Sequence, residues 1–263
     1  MRGLTKTWAL VGVAVAAVAG PAMAVHSWST YHWSRSTPEL QVPVGDNVDS
    51  RWDQYLVVAN ADWNQSTVIQ SPLVPGSTNP KNCRAVAGTI QACNSTYGQN
   101  GWLGLASISI SGGHITQGTT KVNDTYYNTA RYNTPAWRAA VMCQEIGHDY
   151  GLGHQDENSA TDLTTSCMDY TNVPEGNEHP DAHDYAQLLT IYDHLEAGVA
   201  SLMGAGAAGG AAEVGDTPDT WGRAIHFTPD GRPDVFERID GPGRKTITHV
   251  YWAIGEGPRN FRH

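Results

Sequence analysis

The sequence is poor in charge, especially positive charge, and shows no internal repeat. Of its 263 residues 16% are charged and 40% are hydrophobic, so it is neither a disordered polyelectrolyte nor a coiled coil. We expect a hydrophobic core, in one medium-sized domain with an appendage or in two small domains. Lys and Arg number 16 against 26 Asp and Glu, a formal net charge of −10. That charge disfavours nucleic acid and anionic membranes as partners, because both would repel the protein surface.

A long apolar stretch occurs at the N-terminus. Residues 1–24 begin with the basic residues Arg2 and Lys6, continue through the apolar stretch 8–19, and end at Ala24 in a small-x-small cleavage site. The apolar stretch is too short to cross a bilayer comfortably, and no stop-transfer pattern follows it. We therefore predict a signal peptide over residues 1–24 and a secreted, extracellular protein; a retained membrane anchor is the alternative.

Cysteine is also scarce, and no two cysteines form a Cys-x-x-Cys pair. The four are Cys83, Cys93, Cys143 and Cys167. In an exported chain an even number of thiols favours disulfides over a metal cluster. Three connectivities are possible, and we prefer Cys83 with Cys93 and Cys143 with Cys167.

Five segments have the composition or alternation typical of strands. They are residues 31–35, 40–44, 67–70, 101–110 and 114–123. A loop rich in Pro, Gly and Asn begins at Pro72 and leads to the segment between Cys83 and Cys93, which a disulfide would close as a hairpin.

Apolar periodicity predicts a helix early and another late in the main part of the chain. The early helix begins at an N-cap at Asp49 or Ser50 and reaches about Trp63. The late helix runs from Asp181 to about Glu196. We assign its apolar stripe to the core; the stripe comprises Tyr185, Leu188, Leu189, Tyr192 and Leu195.

A third helix is indicated by capping residues. Thr134 and Pro135 form a strong helix start, a hydroxyl N-cap followed by proline at the first helical position. The helix ends near Tyr150, because Gly151 takes the left-handed C′ conformation without strain.

The C-terminal part differs in composition. Residues 197–217 are mostly Ala and Gly, and we predict a flexible linker, with an alanine helix over part of it as the alternative. Residues 218–263 predict a small β-meander that packs on the main domain. Its strand candidates are residues 223–228, 234–239 and 245–253.

Residues 144–154, with the sequence QEIGHDYGLGH, combine side chains that suit a metal site. Gln144 and His148 lie four residues apart, so on a helix they share one face and can reach one metal ion. Glu145 lies beside them. Once the helix has ended, His154 can return to the same point as a third ligand and leave a fourth tetrahedral position for water. A carboxylate next to such water can take its proton and deliver it to a leaving amine.

This spacing resembles the signature H-E-x-x-H-x-x-G-x-x-H of the metzincin zinc peptidases, which a methionine turn, the Met-turn, follows downstream. Glu145, His148, Gly151 and His154 are in register with the signature. Gln144 stands where the family has its first histidine, and its neutral side-chain oxygen is a weaker ligand for zinc than imidazole.

Residues 166–170, with the sequence SCMDY, resemble the Met-turn. By this resemblance Met168 forms an apolar floor beneath the metal without ligating it. Tyr170 matches the tyrosine with which the astacin-like and serralysin-like branches bind the metal or the oxyanion. Cys143 and Cys167 precede the first ligand position and the methionine, so a disulfide between them would hold the turn beneath the helix, a link resembling that in some metzincins.

The resemblance covers roughly residues 27–196. It implies an α/β (α+β) zincin domain over residues 25–196, with a twisted, mixed but mostly parallel sheet, two long helices and a cleft crossed by the active-site helix. It also implies that an edge strand on the upper rim of the cleft pairs with extended substrate. We assign this role to residues 114–123, just before the active-site helix.

These features together predict a secreted, zinc-dependent endopeptidase, expected as a monomer, that acts on protein or peptide substrates. Zn²⁺ would be held by His148, His154 and Gln144. Glu145 would act as general base and Tyr170 would steady the oxyanion.

Alternatives remain open at this stage. Gln144 either ligates the metal or hydrogen-bonds a neighbouring group while water takes its place. The alternative to metal binding by His148 and His154 is that they are ordinary polar residues at a helix end and in a loop. A further alternative is that the whole protein is a degenerate metzincin-like module that binds peptide or a structural metal without hydrolysis.

The other histidines give no sign of a site. His179 and His183 flank the start of the predicted late helix, where we expect surface or capping roles. No spacing signal accompanies His26, His32, His114, His194, His226, His249 and His263.

Overall fold

One mixed β-sheet organises the protein in the computed structural model, which describes residues 26–27, 30–157, 165–196 and 213–258. The strands of these residues are β1 (His32–Trp33), β2 (Val44–Asn47), β3 (Leu73–Pro75), β4 (Ile90–Ser95), β5 (Trp102–Ser111), β6 (His114–Asn123), β7 (Arg223–Phe227), β8 (Pro233–Gly241) and β9 (Arg244–Trp252). The helices are α1 (Asp53–Trp63), α2 (Asp124–Tyr127), α3 (Pro135–Asp149) and α4 (Ala182–Ile191), with a 3₁₀ turn at Pro218–Thr220. The predicted signal peptide and most of the predicted linker lie outside the described residues.

The sheet has a parallel half and an antiparallel half. Its order is β3-β2-β4-β6-β5-β9-β8-β7, and β1 pairs with the start of β6. The pairs from β3 to β6 are parallel, whereas every pair from β6 to β7 is antiparallel. The mixed α/β class, compatible with α+β, is thus confirmed. Among the described residues of 25–196, for which a mostly parallel sheet is expected, four strand pairs are parallel and one, β5 with β6, is antiparallel. The three C-terminal strands add antiparallel pairs to this sheet.

The two longest predicted strands of the main part are confirmed as β5 and β6. They are joined by a tight turn at Gly112 and Gly113, whose φ angles of 60° and 91° favour glycine. Strands over residues 40–44 and 67–70 are wrong. The two segments meet only at the isolated bridge between Leu40 and Ile69, and β2 begins after Pro43, which has no N–H to donate to a ladder.

The segment between Cys83 and Cys93 is not a hairpin. The disulfide between these residues is present, with the Cα atoms 6.0 Å apart. Cys93 lies in β4, which has parallel partners on both sides, β2 and β6, and so has no place for an antiparallel neighbour. The other predicted disulfide, Cys143 with Cys167, is also present, which confirms the preferred pairing.

The end of α1 and the start of α4 agree with the predicted helices, whereas the start of α1 and the end of α4 differ. α1 begins at Asp53 rather than near Asp49, whose carboxylate instead accepts from the Arg51 guanidinium at 2.6 Å. α4 has the predicted cap at Asp181 but ends at Ile191. Two residues assigned to its core stripe are exposed: Leu189, within α4, by 48% and Leu195, beyond its end, by 56%.

The predicted C-terminal meander is confirmed as β7, β8 and β9, and it joins the main sheet. β9 pairs with the whole length of β5, from Trp102 opposite Trp252 to Ser111 opposite Arg244. The C-terminal strands therefore extend the main sheet and share its core.

The core is rich in tryptophan, as expected. All seven tryptophans of the described residues are buried, from Trp33 to Trp252. Among the described residues, no helix has the length and apolarity needed to cross a bilayer. The two disulfides are compatible with an oxidising compartment.

Candidate metal centre

Helix α3 carries the candidate residues and is fixed at both ends as predicted. At its start the Thr134 hydroxyl accepts a hydrogen bond from the backbone N–H of Trp137 at 3.2 Å, and Pro135 is the first helical residue. At its end Gly151 has φ +95°, a conformation that a residue with a Cβ rarely adopts. A Cβ there would also lie 2.7 Å from the Tyr31 carbonyl oxygen. The glycine thus permits the sharp turn that sends the chain back over the helix.

The turn brings the two motif histidines together. The rings of His148 and His154 lie 4.8 Å apart, edge to face. His148 Nδ1 lies 2.8 Å from the carbonyl oxygen of Leu152. Because a carbonyl oxygen only accepts, Nδ1 carries the proton, and a neutral His148 has its lone pair on Nε2. Histidines that ligate metals are commonly oriented by such a bond from the other ring nitrogen.

Gln144 is tied to the predicted Met-turn. Its amide nitrogen donates to the carbonyl oxygens of Cys167 at 2.8 Å and Asp169 at 2.7 Å. Both amide protons are therefore used, and the amide oxygen is buried without a hydrogen-bond partner. Both roles considered for this residue thus find support: it holds the turn through nitrogen and retains an unsatisfied oxygen that can accept a cation.

The predicted Met-turn, residues 166–170, lies against α3. A Cβ on Gly147 would lie 2.5 Å from the sulfur of Met168 and 2.6 Å from the indole of Trp63. Only glycine at 147 therefore lets the helix pack this closely on the turn. The Cys143–Cys167 disulfide joins the two elements covalently, with the Cα atoms 5.9 Å apart.

Glu145 is completely buried, and its carboxylate lies against strand β5. A Cβ on Gly104 would lie 2.4 Å from Glu145 Oε1, and neither carboxylate oxygen has a hydrogen-bond partner. Desolvation, and secondarily the nearby Asp149 carboxylate, raise the pKa of Glu145 well above its ordinary value. This environment favours the protonated form of Glu145.

Tyr170 is held by the C-terminal strand. Its hydroxyl oxygen accepts a hydrogen bond from the backbone N–H of Trp252 at 3.0 Å. Its ring lies edge to face with His154, with the centroids 5.6 Å apart, and stacks on Tyr251 at 5.0 Å. The structure thus places Tyr170 beside the second motif histidine, with its hydroxyl engaged by β9.

Strand β9 brings a third imidazole to the site. His249 stacks on His148, with ring centroids 4.0 Å apart, and lies 6.3 Å from His154. Burial lowers the pKa of His148 to about 4. Burial, and then repulsion from the His148 ring, lower the pKa of His154 and of His249 well below the ordinary value. The three imidazoles are therefore neutral, the form in which histidine binds metal.

Strand β8 also reaches the centre. Asp234 Oδ2 lies 3.6 Å from His154 Nδ1. The other oxygen of Asp234 lies 2.7 Å from Nδ1 of His226 on β7. Sequence analysis missed Asp234 and His249 because they follow the motif by some 80 to 100 residues. One weak signal was present: His249 and Tyr251 alternate along a strand and so face the same side of the sheet.

The assignment of residues 114–123 to an edge strand is wrong. That segment, β6, lies inside the sheet between β4 and β5. β5 packs on α3, and its outer edge is paired with β9. The five candidate side chains are consequently buried, with His154 the most exposed at 8%.

Of the two histidines expected in surface or capping roles, His179 lies at the surface. His179 is exposed and its Nδ1 lies 2.6 Å from the Asp62 carboxylate. His183 instead stacks on the buried His26, with the ring centroids 4.6 Å apart. Neither ring belongs to the candidate metal centre.

Comparison with known proteins adds no further identification. No known family model matches the sequence, and no curated protein is significantly similar to it. The functional argument therefore rests on the geometry of the site.

Proposed function

We propose that the protein is a metzincin-like, zinc-dependent endopeptidase that is secreted and acts on extended polypeptide. The observation that carries the proposal is the convergence of three separate sequence features. His148 on α3 and His154 after its glycine turn lie together, the Met168 sulfur packs against Gly147 of the same helix, and the Cys143–Cys167 disulfide joins the helix to the segment that carries Met168. An accidental motif match would have no reason to produce a matching Met-turn and disulfide as well.

Zinc fits the residues at this centre. The unsatisfied oxygen of Gln144 and the oriented, neutral ring of His148 are the observations that support this fit. His148, His154 and Gln144 would hold the ion, which when bound would polarise the substrate carbonyl and lower the pKa of water.

The chain's own groups then carry the proton chemistry. Glu145 would accept the proton of the attacking water and pass it to the leaving nitrogen, which requires its ionised form. The Tyr170 hydroxyl would donate to the oxyanion once it is released from the Trp252 backbone. The buried, neutral Glu145 and the engaged Tyr170 therefore belong to a closed state.

Strand β9 explains the closed state. An extended substrate would add to the outer edge of β5 through main-chain hydrogen bonds, and β9 already occupies that edge. His249 stands on β9 opposite Ala106, directly against His148. The proposed activity therefore requires β9 to separate from β5.

The pairing of β9 with β5 also favours a second candidate, a non-catalytic protein that keeps the metzincin-like centre as part of its core. In that case β9 never leaves β5, and Glu145 remains neutral. The two candidates differ in whether β9 moves, which a covalent lock can test.

The lock uses a pair of side chains that already touch. The hydroxyls of Ser107 on β5 and Thr248 on β9 lie 3.0 Å apart, so Ser107→Cys/Thr248→Cys should form a cross-strand disulfide. Zinc content, thermal midpoint and cleavage of fluorescent casein are measured for the mature protein, the locked variant and Glu145→Gln. Ser107→Cys alone is the matched control.

We expect Glu145→Gln to lose at least about 100-fold in cleavage rate, with zinc content and thermal midpoint unchanged. We expect the locked variant to be inactive and the single variant to be active. Equal cleavage by Glu145→Gln and the parent protein would rule out the catalytic assignment. A zinc-loaded parent protein that never cleaves casein would favour the non-catalytic candidate.

A further inference from the structure

A second group of metal-binding side chains lies outside the candidate metal centre. Among the residues that the structure describes, His32, His114 and Glu196 form the one group of His, Cys, Asp or Glu whose ligand atoms all lie within 4.8 Å of one another. They come from three places in the chain: β1, the first residue of β6, and the segment after α4. None of them takes part in the proposed peptidase chemistry.

The Glu196 carboxylate is the centre of this group. Its Oε1 lies 2.6 Å from Nε2 of His114, 3.3 Å from Nε2 of His32 and 3.7 Å from Nε2 of His194. Ligands of a tetrahedral zinc ion, each about 2.0–2.2 Å from the metal, lie about 3.3–3.6 Å apart. Small adjustments of these side chains would therefore enclose one ion.

Both ring nitrogens of His32 face hydrogen-bond acceptors. Its Nδ1 lies 2.8 Å from the carbonyl oxygen of Thr30, and its Nε2 faces the Glu196 carboxylate. Both neighbours accept hydrogen bonds. With Nδ1 directed at the Thr30 carbonyl oxygen, Nε2 is the ring nitrogen that faces the carboxylate, where one cation can be bound by both groups.

The backbone fixes the positions of these ligands. His32 and His114 are directly paired in the parallel ladder between β1 and β6, so their side chains are neighbours on one face. The Glu196 backbone N–H donates to the Arg35 carbonyl oxygen at 2.9 Å, and the Arg35 guanidinium donates to the His194 carbonyl oxygen at 3.4 Å. The segment after α4 is thereby tied to the chain that follows β1.

The group also borders open space. A cavity of about 240 Å³ is lined by His32 and His194, together with Thr30, Tyr31, Gln187 and Ile191. The His32, His114 and Glu196 side chains are 15%, 21% and 20% exposed. An ion can therefore enter from solvent without unfolding the chain.

We propose that His32, His114 and Glu196, with His194 as a fourth ligand, form a second site for a divalent transition metal of the zinc type, which clamps the segment after α4 to the end of the sheet. Imidazole nitrogens with one carboxylate select zinc-like ions over Ca²⁺ and Mg²⁺, which prefer all-oxygen sites. This site does not depend on the proposed peptidase activity.

The test measures zinc bound per chain and the zinc-induced rise in thermal midpoint, using the full mature protein freed of metal by chelation. The informative variants are Glu196→Gln and His114→Asn. His179→Ala is the matched control, since His179 is an exposed histidine that also pairs with a carboxylate. A His148→Ala/His154→Ala variant separates this site from the candidate metal centre.

We expect Glu196→Gln and His114→Asn each to bind one zinc fewer than the parent protein, or to bind it more than about tenfold more weakly, and to lose part of the zinc-induced rise in midpoint. We expect His179→Ala to behave as the parent protein and His148→Ala/His154→Ala to retain the second zinc. Unchanged zinc content and midpoint in both Glu196→Gln and His114→Asn would overturn the proposal. Loss of all zinc in His148→Ala/His154→Ala would also overturn it, while leaving the peptidase proposal intact.

Discussion

Two regions of the protein meet at the candidate metal centre, and they are built differently. The helix-and-turn region, residues 135–170, holds all the motif residues close together in sequence, with capped helix ends and a disulfide between Cys143 and Cys167. The C-terminal region, residues 218–258, reaches the same centre through the pairing of β9 with β5 and through side-chain contacts of Asp234, His249 and Tyr251. The first region is thus joined covalently across the site, whereas the second depends on strand pairing and side-chain packing.

This difference suggests that the two regions separate before either unfolds. Sheet pairing and aromatic contacts can open reversibly, because each contributes a few kcal/mol at most, whereas the disulfide remains closed. Four predictions test or refine the comparison, in order of decreasing effect.

The largest effect is expected from Tyr251→Ala. The buried Tyr251 ring stacks on Tyr170, and its hydroxyl donates to the Thr171 carbonyl oxygen at 2.6 Å. Removing the ring should lower the free energy of unfolding by about 4 kcal/mol, whereas Tyr251→Phe should cost about 1 kcal/mol. Hydrogen exchange of Tyr251→Ala should show lost protection in β9 and retained protection in α3. Equal loss in both elements would mean that the two regions open as one unit.

The next effect concerns the two disulfides. Cys143→Ala/Cys167→Ala opens a loop of 24 residues and Cys83→Ala/Cys93→Ala one of 10, so each should lower the free energy of unfolding by about 3 kcal/mol. Only the first pair lies at the candidate metal centre. We therefore expect zinc affinity to fall in the first variant and to be unchanged in the second, as measured by denaturant unfolding and zinc titration. A parallel loss of zinc in both variants would contradict a local role for Cys143–Cys167.

A smaller effect is expected from Gln144→Glu in the metal-free protein. The substitution keeps the shape of the side chain but removes the amide N–H groups that donate hydrogen bonds to the carbonyl oxygens of Cys167 and Asp169. We expect a loss of about 2 kcal/mol in the free energy of unfolding, because at least one buried carbonyl loses its donor. If the oxygen at this position ligates zinc, saturating zinc should recover part of the loss. Denaturant unfolding with and without zinc measures both effects, and an unchanged metal-free stability would show that the two hydrogen bonds contribute nothing.

The smallest effect is a pH dependence within the C-terminal region. Hydrogen bonds to Asp234 and then Glu157 raise the pKa of His226 from 6.5 to about 10. A raised histidine pKa means that the charged form stabilises the fold below pH 6.5 and that this contribution is lost as the pH rises through 10. Since the side chain is 35% exposed, we expect a loss of less than about 1 kcal/mol. The thermal midpoint of the parent protein should therefore fall more between pH 6 and pH 10 than that of His226→Gln.

Sequence patterns predicted the helix-and-turn region closely because its determinants are local. Thr134, Pro135 and Gly151 fix the ends of α3 whatever lies around them. The spacing of His148 and His154 then follows from helix geometry and one turn. By contrast, Leu189 and Leu195 were assigned to the core by periodicity, although α4 ends before the second of them.

The wrong assignment of β6 to an edge of the sheet shows why some features could not be predicted from the sequence. Residues 114–123 have the same composition whether they lie at an edge or inside the sheet. Their position is decided only by the strands that pair with them. His249 and Asp234 likewise carry no local sign of the residues they meet, because strand pairing brings together positions that are distant in the chain.

The sequence by itself predicted where α3 begins and ends, that His148 and His154 would come together after its glycine turn, and which pairing of the four cysteines is preferred. Those properties depend on backbone chemistry and spacing within a few turns of chain. The tertiary structure alone decided that β9 covers β5, that His249 stands against His148, and that His32, His114 and Glu196 converge. Each of these contacts depends on which strands pair within the sheet and on how the chain after α4 returns to it, and both are set by the packing of the whole core.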